Sequence, residues 1–210
     1  MIETKELICG YGKFAVTKEL NLCFNEGIYL IYGPNGSGKT TILKTISGLL
    51  RPIKGKVYFC GRDMYRERRV LKNLFYLSEK INPTEFLKTK DYFGLVFSFY
   101  GLELRRTIEK VKEFLNQFDL GWLINANISN LSQGQRRLVQ LISAYGTARK
   151  VNILDDPLLG IDIETYGEIV KNLLTELNGV TIASERTYDF WKFAKKLKIE
   201  KGEVKEESGV

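Results

Sequence analysis

The sequence predicts an α/β fold built on a mainly parallel sheet, and three consecutive stretches carry that prediction. Ile28-Tyr29-Leu30-Ile31-Tyr32 is a short continuous apolar run, the pattern of a buried strand. Gly33-Pro34-Asn35-Gly36-Ser37-Gly38-Lys39-Thr40 follows it directly and fits the spacing G-x-x-x-x-G-K-[ST]. Thr41 to Leu50 then places apolar residues at helical spacing and is stopped by Pro52.

Composition bounds the rest. The 210 residues suffice for one sizeable core, and 44% hydrophobic with 27% charged residues describes a soluble globular chain rather than a disordered one. The longest apolar stretches, around Tyr92–Leu104 and Ile28–Tyr32, fall short of a membrane span. No basic leader with an apolar core opens the sequence, so export of the chain is not expected. Cys9, Cys23 and Cys60 are isolated and histidine is absent, which excludes an ordinary structural zinc site and suits reduced thiols in a cytosolic compartment. The net charge of +7 is spread over clusters such as Arg62–Arg69, Arg105-Arg106 and Lys195–Lys198, each broken by other residues. A solvated surface ranks first, anionic lipid head groups second and a nucleic-acid track third, so a nucleic-acid partner is disfavoured.

The glycine-rich loop carries the chemistry. Chance matches to its spacing in a chain this long are on the order of one in a hundred, and the strand before and helix after supply the required context. Glycines let backbone N–H groups converge on phosphate oxygens at the positive end of a helix. Lys39 is expected to reach the β- and γ-phosphates, and the Thr40 hydroxyl to ligate Mg²⁺. The chain is therefore expected to bind a nucleoside triphosphate.

Further motifs narrow the class. Leu131-Ser132-Gln133-Gly134-Gln135 precedes a helix expected over Arg136–Ala144. Asn152-Ile153-Leu154-Asp155-Asp156-Pro157 ends an apolar run on two adjacent carboxylates, which alone reads as a strand running into a turn. Alternation along a strand would send those two side chains to opposite faces. Gly10-Tyr11-Gly12-Lys13 follows a first short strand.

With GPNGSGKT, LSQGQ and ILDDP in that order, the sequence resembles the ATP-binding-cassette ATPases over about Lys5 to Lys205. The resemblance implies a single ATPase domain over 1–210 with a P-loop NTPase core, an antiparallel N-terminal sheet (roughly 1–60) and an inserted helical lobe (about 83–134). It implies ATP and Mg²⁺ as cofactors. Tyr11 matches the ring that stacks on adenine, while Asn35, Gly36, Ser37, Gly38, Lys39, Thr40 and Thr41 match the phosphate-binding positions. Ser132 and Gly134 match residues that contact a γ-phosphate bound on an opposing subunit, and Asp155 matches the Mg²⁺-holding aspartate. Leu159-Gly160-Ile161-Asp162 matches the loop along the dimer interface, Glu79 the loop leading to the helical lobe, and Glu185 the switch position.

The implied protein is an energy-coupling subunit, cytoplasmic and peripheral on the inner face of the membrane. It would act as a homodimer or heterodimer with a permease on another polypeptide. Phe99-Tyr100-Gly101-Leu102 resembles exporter-type cassettes, and no regulatory domain is expected after Lys201. Tyr92 to Leu102 is dense in aromatics, most of them expected to form the core of the helical lobe.

Three positions depart from the family pattern. The catalytic base is normally Glu and here is Asp156, whose carboxylate retreats by roughly 1.5 Å, one carbon–carbon bond. Misplacement on that scale can cost about a hundredfold in rate. The switch histidine is replaced by Glu185, which directs negative charge towards a phosphate unless it turns away or pairs with a cation such as Arg186. Glu79 stands where Gln is usual, and a carboxylate there still serves as a Mg²⁺ ligand. The retained carboxylate at 156 favours activity. The alternatives are a catalytically weak partner in a heterodimer and a soluble nucleotide-gated clamp on nucleic acid or protein.

Overall fold

A computed structural model describes residues 1–80, 83 and 85–207 and resolves the chain into two units. The first comprises Met1–Ser78, Lys150–Asp156 and Asn178–Val210, and the second Glu79–Arg149 and Pro157–Leu177.

The first unit carries both main sheets. Its antiparallel sheet runs in the order β4-β1-β6-β7, from β1 (Ile2–Ile8), β4 (Cys23–Phe24), β6 (Lys54–Phe59) and β7 (Arg62–Asp63). This is the N-terminal antiparallel sheet the sequence implied. A two-stranded hairpin of β2 (Gly10–Tyr11) and β3 (Phe14–Ala15) stands apart from it.

The second sheet runs β12-β11-β5-β10-β9-β8. Its strands are β5 (Gly27–Tyr32), β8 (Leu74–Leu77), β9 (Val151–Asp155), β10 (Val180–Glu185), β11 (Lys195–Glu200) and β12 (Glu203–Glu206). All pairings are parallel except β11 with β12. Every residue of β9 is buried, as in a parallel strand covered on both faces. Ile31, Ile153, Ile182 and Ile199 of this sheet share one core with Ile42, Leu43 and Ile46 of α1 (Lys39–Ile46).

Helix α1 ends earlier than the sequence suggested. Leu49 N donates to Lys44 O at 3.0 Å and Gly48 N to Thr45 O at 3.1 Å. This is the paired-bond closure of a Schellman motif, with Gly48 in the left-handed region at φ 76. The glycine stops the helix four residues before Pro52.

The second unit holds α2 (Thr89–Phe99), α3 (Leu104–Asn116), α4 (Gln133–Thr147) and α5 (Ile163–Thr175). The helical lobe expected over about 83–134 falls inside it, although the unit also takes in α4 and α5. Of the aromatic run, Phe93 and Phe97 are fully buried and stack with centroids 5.5 Å apart, while Phe99 is 91% exposed. Phe97 presses on α4 so closely that a Cβ on Gly146 would lie 2.3 Å from its ring. Truncating such a ring removes its transfer energy and leaves a cavity. Phe97→Ala is therefore expected to destabilise the protein by about 3–5 kcal/mol, read as a lowered midpoint in urea unfolding.

Candidate functional site

Parallel pairing brings the carboxyl ends of β5, β10, β9 and β8 to one edge of the sheet, where open α/β sheets bind ligands. The glycine-rich loop follows β5 and runs into α1. Its last residue, Gly38, is the N-cap at φ 106 and offers no side chain to the helix's first N–H groups. A Cβ on Gly38 would also lie 2.7 Å from the Val16 side chain. The helix therefore begins with backbone donors that its own cap leaves open, the arrangement that suits an anion.

Within the loop, Lys39 Nζ donates to Gly33 O at 2.8 Å and Pro34 O at 3.1 Å. Pro34, Asn35 and Gly36 are exposed, whereas Thr41 is buried in α1. Ser37 Oγ is buried with no hydrogen-bond partner among the described residues. A buried hydroxyl without a partner is costly, and a phosphate oxygen is the partner this loop is shaped to admit.

Asp155, the last residue of β9, is 1% exposed and is the centre of the site. Its Oδ1 accepts the Thr40 hydroxyl at 3.0 Å and the Ser184 hydroxyl at 2.7 Å, and its Oδ2 accepts the Tyr76 hydroxyl at 3.4 Å. Register accounts for the Ser184 contact: Ser184 lies directly opposite Asp155 in the parallel β10–β9 pair, so both side chains share a face. Tyr76 is on β8, the other neighbour of β9. The Asp155 carboxylate and Thr40 hydroxyl are adjacent hard oxygen donors. They fit Mg²⁺, which takes one or two protein oxygens and completes its octahedron with phosphates and waters.

Asp156 does not continue the strand. Its φ is 45, in the left-handed region that Asp tolerates better than most residues, and its N–H donates to Ser184 Oγ at 3.1 Å. The strand alternation expected for the two carboxylates therefore stops at Asp155. Glu185 ends β10, and its carbonyl accepts from Gly33 N at 3.3 Å, tying the end of that strand to the start of the loop.

Tyr11 sits on the β2–β3 hairpin, directly opposite Phe14. Both rings are exposed, at 48% and 82%, and Val16 just beyond them is the residue that packs on Gly38. The hairpin is thus anchored beside the phosphate loop.

Glu79, Ser132 and Gly134 belong to the second unit, where Glu79 is partly buried. Ser132 is the N-cap of α4, which starts at Gln133 rather than at Arg136. Ser132 Oγ accepts from Gln135 N at 3.2 Å while Gln135 Oε1 accepts from Ser132 N at 3.0 Å, a complete capping box. A Cβ on Gly134 would lie 2.1 Å from Gly160 O, so only glycine fits there. Asp162 caps α5 and accepts the Thr165 hydroxyl at 2.6 Å, a bond that holds its carboxyl below the usual range.

Sequence reading gave no role to the side chains of Ser184, Tyr76 and Phe14. Ser184 was visible only as part of a strand, and Tyr76 lies 79 positions from the carboxylate it touches.

A mainly parallel sheet whose first loop is a phosphate cradle, with a buried aspartate beside its threonine, defines a P-loop nucleotide-binding protein. The family model for ABC transporters matches residues 17–159, more than half of the chain, and the chain belongs to that family. It is 33% identical to a sulfate/thiosulfate import ATP-binding protein, CysA, of Bradyrhizobium diazoefficiens, over 87% of this chain and 55% of that one. It is 29% identical to a cytochrome c biogenesis ATP-binding export protein, CcmA, of Wolbachia pipientis, over 90% of this chain and 94% of that one. A solved structure, a putative ABC transporter ATP-binding protein from Pyrococcus furiosus, superposes with a TM-score of 0.81 at 29% identity, covering 94% of this chain and 96% of that one. The chain spans 65%, 66% and 55% of the length of three curated relatives that it matches.

Ser184 joins two adjacent carboxylate-bearing residues through one buried hydroxyl. Ser184→Ala leaves Asp155 short of a donor and Asp156 N short of an acceptor. Hydrogen bonds to charged groups contribute about 1.5–3 kcal/mol, so a loss of that order is expected in urea unfolding without nucleotide.

Proposed function

We propose that this chain, as a single ATPase domain, binds and hydrolyses ATP to drive transport through a permease on another polypeptide. The observation that carries this reading is the buried Asp155 carboxylate bonded to the Thr40 hydroxyl at 3.0 Å, at the end of the phosphate loop. Among the described residues no helix is long and apolar enough to cross a membrane, which suits a subunit peripheral to the inner face of the membrane.

In this reading Tyr11 stacks on adenine. Asn35, Gly36, Ser37, Gly38, Lys39, Thr40 and Thr41 hold the phosphates, with Lys39 leaving its loop carbonyls for the β- and γ-phosphates. Thr40, Asp155 and Glu79 hold Mg²⁺, which when bound offsets charge on the phosphate oxygens. Asp156 takes a proton from water as the water oxygen bonds to the γ-phosphorus and the bond to the β–γ bridging oxygen breaks, releasing ADP and phosphate. Glu185 occupies the switch position beside the loop. Ser132 and Gly134 of an opposing subunit, identical or different, bring a helix N-terminus to the γ-phosphate.

The left-handed backbone and short side chain of Asp156 favour a second reading, a weak site that serves a stronger partner in a heterodimer. Export is the finer reading of direction, supported by the Phe99–Leu102 phrase, although the chain is similar to both an import and an export protein.

Lys39→Ala is expected to abolish nucleotide binding. Asp156→Asn should lower MgATP turnover by about a hundredfold or more, the usual worth of a general base, while Asp156→Glu retains or raises it. A wild-type rate equal to that of Asp156→Asn, with a large gain in Asp156→Glu, would replace an active site by the weak-partner reading. Recovery of the chain with membranes only when a permease is co-expressed tests the transport role.

A further inference from the structure

Gln135 has both ends of its side chain committed. Its Oε1 accepts from Ser132 N inside the capping box, and its Nε2 donates to the Tyr166 hydroxyl on α5 at 2.9 Å. An amide satisfied at both ends by fixed partners has one orientation. The backbones approach just as closely beneath it, with Gly134 against Gly160 O and Gly160 facing the Gln133 side chain at 3.2 Å from its would-be Cβ. Tyr166 N in turn donates to Asp162 O at 2.8 Å, and the Asp162 side chain caps the same helix. A chain of hydrogen bonds thus runs from Ser132 through Gln135 and Tyr166 to Asp162.

This arrangement leaves Ser132 oriented for donation. Its oxygen accepts the Gln135 N–H, so the hydroxyl proton is free to point outward to an acceptor. The direction of that proton depends on the capping box, and the capping box depends on where Gln135 is held.

We propose that Tyr166 is a positioning residue that pins Gln135, so that the LSQGQ helix start and the Leu159–Asp162 loop present to an opposing nucleotide as one body. The proposal rests on the reading that these two segments face an opposing subunit's γ-phosphate. Nothing in the sequence marks Tyr166, because its partner is 31 positions away. Purely apolar packing of its ring against α4 would leave its hydroxyl idle, and the test separates the two roles.

Tyr166→Phe removes only that hydroxyl. In the nucleotide-free protein, amide hydrogen exchange at Gln135, Arg136 and Ile161 is expected to accelerate together by about fivefold, the worth of one neutral hydrogen bond. In a Gln135→Ala background the same change should add nothing. In turnover assays Tyr166→Phe should lower kcat several-fold at unchanged nucleotide affinity. Unaltered exchange at these amides, additive effects in the double mutant, or, in a hydrolysing protein, a kcat equal to wild type overturns the pin. A wild-type protein that hydrolyses no MgATP while the exchange results hold supports the pin and overturns the ATPase reading alone.

Discussion

The structure depends first on a carboxylate taken out of water. Asp155 is buried at the end of a strand whose other residues are all buried, and an ionised group there is tolerated only if donors surround it. Three hydroxyls do so, from the phosphate loop, from β10 and from β8. Each lies on a different segment, so satisfying one charge fixes the relative placement of all of them. The register of the parallel sheet is what makes this possible, since Ser184 and Asp155 are opposite one another and a slip of one residue would turn one of them to the other face.

The same economy appears in the second unit, where residues at the expected subunit interface are also helix caps. Ser132 closes the first turn of α4 and Asp162 that of α5. Capping fixes each side chain before any partner arrives, so less ordering entropy is lost on association. The close approach of Gly134 to Gly160 joins the two caps, and it requires a residue without a side chain at position 134.

What was legible in the sequence divides along chain distance. The phosphate loop is contiguous, and its glycines, lysine and threonine each have a chemical reason to be neighbours. The strand before it and the helix after it followed from periodicity. The end of α1 at Gly48 was hidden because the apolar spacing runs on through Leu49 and Leu50, and the closing bonds of the turn leave no periodic trace. The start of α4 was hidden by its polar first turn, which is capped rather than buried. Ser184, Tyr76 and Tyr166 act through partners 29, 79 and 31 positions away, and only sheet register or helix packing brings them together. The left-handed turn at Asp156 was also invisible, since Asp-Pro signals a turn without specifying which residue bends.

That turn bears on the chemistry more than the missing methylene does. A residue still in the strand would have directed its side chain to the face opposite Asp155, whereas the left-handed backbone at Asp156 ends the alternation and re-aims the carboxylate. Because Asp155 and Ser184 are register partners, the residues that follow them, Asp156 and Glu185, stand at the ends of neighbouring strands. On the proposed reading this edge has an aspartate and a glutamate where the family pattern has a glutamate and a histidine. The γ-phosphate is itself anionic and calls for donors, including donors from elsewhere. In that reading, a helix start and a serine hydroxyl held ready on an opposing subunit supply such donors. On the proposed reading, a chain altered at Asp156 and Glu185 yet complete at Ser132, Gly134 and Gln135 gives to a partner's site at least as well as it uses its own.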